Sequence, residues 1–231
     1  ALARVSMLAS MRLDGTGDSE PLQPATISAV DAATASTLVP SSGPVRGGTQ
    51  VVIRLARPED AEAVADMHSR SSDETRYQRY FTPNTDWRED QLRRIAGGHR
   101  GATLVAVNWR GDIVGLGNVF PDRPDDTATA EIAVIVEDAW QGRGLGGRML
   151  EHLVELARRQ GFDEVLALVL ASNGGMVRLL ERMDLDWTRS SDPDLGPTIV
   201  RMTAPISLFS TSSMFTSTRS SPSHRYQMAV V

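Results

Sequence analysis

The 231-residue chain contains no cysteine, which excludes disulfides, thiolate nucleophiles and thiolate metal sites. It also contains no lysine, so all 24 basic residues are arginine. A Schiff-base lysine and a P-loop lysine are therefore excluded, and no side chain offers an amine for self-acylation; codon usage in a GC-rich genome is the plain account of the bias. No apolar run approaches the length of a membrane span, and the first residues lack a basic region followed by a long uncharged core. Neither a membrane association nor an export signal is expected, and the expected location is cytoplasmic. The four histidines, His68, His99, His152 and His224, are scattered without metal-ligand spacing, so no metal is expected. A formal charge of -5 gives no whole-molecule field that would hold nucleic acid or an anionic membrane.

What is present suffices for one core, with 41% hydrophobic residues in a chain of this length. Residues 1–49 are rich in Ala, Ser, Thr, Gly and Pro without a sustained period, and read as a flexible leader. Residues 205–231 are Ser- and Thr-rich and read as a tail. Between them, residues 50–204 carry dense signals for one domain. Val51–Leu55 reads as a strand, and Pro58-Glu59-Asp60 opens a helix to about Arg70 that turns Ala61, Val64, Ala65 and His68 inward. A polar, aromatic segment follows, Ser71 to Phe81, then a short helix from Trp87 to Ala96. Thr103–Trp109 and Ile113–Phe120 flank Arg110-Gly111-Asp112 as a hairpin. Thr129–Val136 is a third strand of this group, and Leu145, Met149, Leu153 and Leu156 form the apolar stripe of a helix that ends near Gly161. Val165–Leu170 is a buried strand, Gly174–Met183 a helix, and Leu185–Thr188 and Thr198–Met202 weaker strands. The order predicts an α/β fold with a sheet of mixed direction.

The densest signal is Glu131 to Leu150, a strand that carries an acid, then a glycine-rich turn, then an amphipathic helix. Such a turn brings backbone N–H groups at a helix start to a pyrophosphate. Gly142, Gly144 and Gly147 also satisfy the dinucleotide pattern G-x-G-x-x-G. Context disfavours that reading: five residues, Glu137 to Gln141, separate the strand from the first glycine, and the next strand ends in Leu170-Ala171-Ser172-Asn173 rather than a ribose-binding acid. A glycine turn with no ligand is the third possibility.

Gln141, Gly144 and Gly146 match the acyl-CoA-binding motif of the GNAT superfamily of N-acetyltransferases, which the chain resembles over residues 50–204. The resemblance implies a GNAT fold, a central mixed, mostly antiparallel sheet flanked by helices, with acetyl-CoA as co-substrate. It implies cofactor contacts from Val134, Ile135 and Val136 on the strand, from Gln141, Gly142, Arg143, Gly144, Leu145, Gly146 and Gly147 in the turn, and from Asn173 and Met176 beyond the next strand. Glu131, in Ala130-Glu131-Ile132-Ala133, matches the strand position where the protein-lysine branch carries its general base; the bland alternative is an acid paired to an arginine at a splayed sheet edge. The tyrosine that many members use to protonate the departing thiolate falls on Leu180, and the usual Gly-Phe after that helix is Asp184-Leu185. Ser72, Thr75, Tyr77, Arg79, Tyr80 and Phe81 resemble the Ser-x-x-Ser/Thr-x-Tyr-x-Arg-Phe-Phe region of bacterial Pat-type protein lysine acetyltransferases. That implies a protein acceptor with an exposed lysine, such as an acyl-CoA synthetase. A small-molecule amine acetyltransferase and a catalytically silent acyl-CoA sensor are the alternatives.

Overall fold

The computed structural model describes residues 41–81, 101–123, 126–191 and 195–206. The segment expected as a helix from Trp87 to Ala96 lies outside them, as do residues 1–40 and 207–231. Among the described residues the elements are β1 (Ser41–Pro44), β2 (Gln50–Leu55), α1 (Ala61–Arg70), α2 (Asp73–Tyr80), β3 (Ala102–Asn108), β4 (Ile113–Pro121), β5 (Thr129–Val136), α3 (Leu145–Arg159), β6 (Glu164–Leu170), α4 (Gly174–Glu181), β7 (Thr188–Ser191) and β8 (Ile199–Pro205). The strands form one eight-stranded sheet in the order β1-β2-β3-β4-β5-β6-β8-β7. The β5–β6 pair is parallel and every other pairing is antiparallel, which is the mixed, mostly antiparallel sheet expected.

Two apolar clusters sandwich the sheet. On one face α3 buries Leu145, Met149, Leu153 and Leu156, each at most 1% exposed, against Ile132, Val134 and Val136 of β5 and neighbouring strands. The chain allows α3 to lie close because β4 carries Gly115 and Gly117 beneath it. A Cβ at Gly115 would come within 2.9 Å of the Met149 sulfur, and one at Gly117 within 3.0 Å of Leu153. On the other face α1 buries Ala61, Val64 and Met67 against Val105, Ile113, Leu116 and Ile135.

Three local differences from the sequence reading have physical causes. Ser71–Phe81 is mostly helix: Ser72 caps α2 by accepting the Thr75 N–H at 3.2 Å, and its buried face is Thr75, Arg79 and Tyr80, so no aliphatic stripe announces it. Ser41–Pro44, within the stretch read as leader, pairs as an edge strand with Val51–Ile53 and Gln50; backbone pairing requires no apolar pattern. Strand β7 starts at Thr188, where a strand was expected to end, and is exposed throughout. At the other boundary, Ile206 is 3% exposed, and its N–H donates to the Asp163 carbonyl at 2.7 Å.

Candidate active site

The parallel β5–β6 ladder lasts only three residue pairs, Thr129 to Glu131 against Glu164 to Leu166. Both strands continue, β5 to Val136 and β6 to Leu170, so the sheet splits into two arms. The split opens a groove of about 580 Å³ lined by Glu131 to Val136, Ala167 to Val169, Gly142, Gly144, Gly146, Gly147, Asn173 and Met176 among others. Strand alternation decides what each β5 residue offers it. Glu137 donates its N–H to Val114 on β4 at 3.0 Å, and the register pairs Ile135 with Leu116 and Ala133 with Asn118. The residues between them, Val134 included, therefore turn their N–H and C=O groups away from β4 and into the gap.

The glycine-rich turn sits at the open end of the gap. Gly142 and Gly144 have φ of +68° and +84°, conformations that L side chains rarely adopt. Residues 138–140 form one helical turn, and Gln141 Nε2 reaches back to the Val136 carbonyl at 2.9 Å. The first helical hydrogen bond of α3 is Arg148 N–H to Gly144 O, at 3.2 Å. The N–H groups of Gly144 to Gly147 precede it and have no intrahelical acceptor. A Cβ at Gly146 would meet only Leu179 at 3.5 Å and Val136 at 3.9 Å. The protein's own packing therefore leaves room for a side chain there, and the space the glycine keeps free belongs to the groove. A pyrophosphate placed in that cradle would meet backbone donors and the positive end of the α3 dipole.

Helix α2 roofs the groove. Asp138, just before the glycine turn, accepts from the Ser72 N–H at 2.8 Å and from the hydroxyls of Ser72 and Thr75 at 2.7 and 2.8 Å. Burial alone would raise the Asp138 carboxyl, but these donors outweigh it and hold the group below the ordinary aspartate range. Gln141 Nε2 also donates to Thr75 Oγ1 at 3.0 Å. On the far side of the gap, Asn173 caps α4 by accepting the Met176 N–H at 3.0 Å, and donates to Gln78 Oε1 of α2 at 3.1 Å. Helix α2 is thus tied to both arms of the split sheet. Beneath it, buried Arg79 donates to Asn118 Oδ1 at 2.9 Å, and Asn118 donates to Thr103 Oγ1 at 3.0 Å.

All but two of the residues expected at the site line this groove. The exceptions are Arg143, whose guanidinium lies 5.2 Å from the centre of the Trp140 ring, and Leu145, whose side chain is in the core at 1% exposure. Glu131 is half-buried and lies on the α1–α2 face of β5 with Ala133 and Ile135. Leu180 is fully buried in the core beside the groove and carries no proton to donate. Sequence reasoning missed Asp138, Gln78 and Asn118. Ser72 followed by Asp73 and Glu74 is a helix-start signature that was open to it, whereas Asp138 reaches Ser72 across 66 positions and leaves no local signal. Among the described residues no group of acids and histidines could hold a metal ion, and no helix is long and apolar enough to cross a membrane.

A model of the acetyltransferase (GNAT) family matches residues 62–185. The chain belongs to the GNAT acetyltransferase family. Acetyl-CoA is the co-substrate of that family, and the cradle described above fits it. The acetyltransferase is 28% identical over 160 residues to acetyltransferase PA5475 of Pseudomonas aeruginosa, covering 68% of this chain and 85% of that protein. It is 29% identical over 176 residues to acetyltransferase Pat of Mycolicibacterium smegmatis, covering 74% of this chain but only 51% of that longer protein. Its relatives also include an L-methionine sulfoximine/L-methionine sulfone acetyltransferase of Pseudomonas aeruginosa, 32% identical over 85 residues, or 36% of this chain and 49% of that protein. Among solved structures, the GNAT domain of S. lividans PAT superposes with a TM-score of 0.63 at 25% identity, covering 72% of this chain and 96% of that one.

Proposed function

We propose that this acetyltransferase acts on the ε-amine of a protein lysine, with its co-substrate lying along the β5–β6 groove and Glu131 as general base. The observation that carries the reading is the placement of Glu131. It lines the groove where the two arms part, under a helix built from the residues that resemble the Pat-type motif. Acetyl-CoA would supply the thioester carbonyl that the amine attacks, its C–S bond breaking to release coenzyme A as a thiolate acidic enough to depart without a proton donor. The Glu131 carboxylate takes a proton from the incoming ammonium, leaving a neutral amine lone pair to attack. The Val134 N–H, aimed into the gap, is the donor placed to stabilise negative charge on a carbonyl oxygen. The backbone donors of Gly144 to Gly147 fix the phosphates, and the α2 roof excludes water and sets the approach of the acceptor.

A small-molecule amine is the second reading, favoured by the relative named for methionine sulfoximine and methionine sulfone. Incubating the protein with acetyl-CoA and a cell lysate, then mapping new lysine acetylation by mass, separates the two. The chain has no lysine of its own, so every new acetyl-lysine belongs to a substrate. Absence of new acetyl-lysine, together with turnover of free amino acids or their analogues, would overturn the protein-lysine reading.

A further inference from the structure

The β1–β2 hairpin lies before the stretch that the family model matches, yet it is fastened to the glycine turn and to the helix that follows. The Arg46 N–H donates to the Arg143 carbonyl at 3.0 Å, and Arg148 of α3 donates to the Gly43 carbonyl at 3.0 Å. Gly48 N–H closes on Val45 O at 3.0 Å, with Gly47 at φ +97°, the positive φ that a type II turn needs at its third residue. Arg46 is the second residue of that turn, so the turn presents its side chain at the tip. Arg46 is exposed, forms no ion pair among the described residues, and lines the groove together with Gly142 and Gly144. An unpaired guanidinium is thus held at the mouth of a cradle whose inner end is suited to a pyrophosphate.

We infer that Arg46 binds the 3′-phosphate of coenzyme A, making the β1–β2 hairpin a selectivity element that distinguishes coenzyme A from its 3′-dephospho form. The inference rests on the co-substrate lying with its pyrophosphate at Gly144 to Gly147. A pyrophosphate in that cradle uses backbone donors. The remaining charged group of the nucleotide end is the 3′-phosphate, a dianion with three acceptor oxygens, to which a guanidinium donates charge-assisted hydrogen bonds. Because the contact is at the surface, it weakens with added salt.

Calorimetric titration of the full chain with coenzyme A and with 3′-dephospho-coenzyme A tests this without relying on turnover. Wild type should prefer coenzyme A by roughly threefold to tenfold, the range for an exposed charge-assisted contact. Arg46→Gln should lose that preference by weakening coenzyme A alone, and raising the salt should erode the preference of wild type but not of the variant. Equal weakening of both ligands in Arg46→Gln, or an unchanged preference, would overturn the assignment. Gly146→Val tests the underlying placement: loss of both ligands supports it. If Gly146→Val binds both as wild type does, the groove reading fails, and the Arg46 inference with it.

Discussion

Acidification should destabilise this protein through one buried pair, His68 and Tyr80. His68 is 3% exposed. Its Nδ1 lies 2.8 Å from the Val64 carbonyl, so Nδ1 carries the proton and donates; Nε2, 2.6 Å from the Tyr80 oxygen, then accepts the hydroxyl proton. Burial pushes the imidazole down from 6.5 to about 4. The Val64 carbonyl works against that shift, while the positive charges of Arg79 and Arg76 add to it. Below pH 6.5 the unfolded chain takes up a proton that the folded chain refuses until about pH 4, so stability present above 6.5 is lost across that window. At pH 4.5 the loss from this group is about 2 kcal/mol relative to pH 7, or roughly 5–8 °C in Tm for a domain of this size. The assay is urea unfolding at pH 7.0, 5.5 and 4.5 for wild type and for a His68→Leu/Tyr80→Phe double variant. The double variant removes both polar partners and should show a loss smaller by about 2 kcal/mol over the same range. Parallel losses in the two proteins, or an NMR titration placing the His68 imidazole above 6, would refute the reasoning.

Three further outcomes follow from the site. Glu131→Gln should lower kcat by about 10²–10⁴-fold with little change in the affinity for coenzyme A; stopped-flow turnover beside calorimetric binding checks both, and wild-type turnover would remove the base assignment. Asp138→Ala strips the Ser72 and Thr75 donors of their shared acceptor, which should cost about 1–3 kcal/mol and speed hydrogen exchange in α2 before the rest of the fold. Unchanged exchange in α2 would mean that Asp138 does not hold the roof. Tyr80→Phe alone should destabilise by about 1–3 kcal/mol, because it removes the hydroxyl that faces the buried His68 Nε2, even though phenylalanine fits the resembled motif; chemical denaturation reads the difference.

Much of the fold was legible because its signals are local. Thr129–Val136 matches β5 at both ends, and Arg110-Gly111-Asp112 falls between β3 and β4, with Gly111 at φ +90°. The α3 stripe is buried as its 3.6-residue period requires. In the sequence α2 is a polar, aromatic segment with no helical stripe, because its burial rests on a hydroxyl, a guanidinium and a phenol, groups that count as polar in any periodicity. Each meets a partner beyond its own helix: Asp138 for Thr75, Asn118 for one Arg79 nitrogen and His68 for Tyr80. The edge strand β1 lay in the stretch expected as leader, and β7 was expected three residues early, because their pairing is backbone to backbone and leaves their side chains without an apolar pattern.

By itself the sequence determined the run of elements from β3 to α4, the glycine turn that leaves N–H groups of α3 without helical partners, and the acid on β5, because these depend on propensity, period and backbone sterics within a few residues. Tertiary structure decided that the β5–β6 ladder ends after three pairs, that α2 spans the opening, that Leu145 is buried in the core, and that the β1–β2 hairpin carries Arg46 to the mouth of the groove. Where two strands stop bonding to each other depends on what packs above and below both of them, and those contacts join residues tens of positions apart.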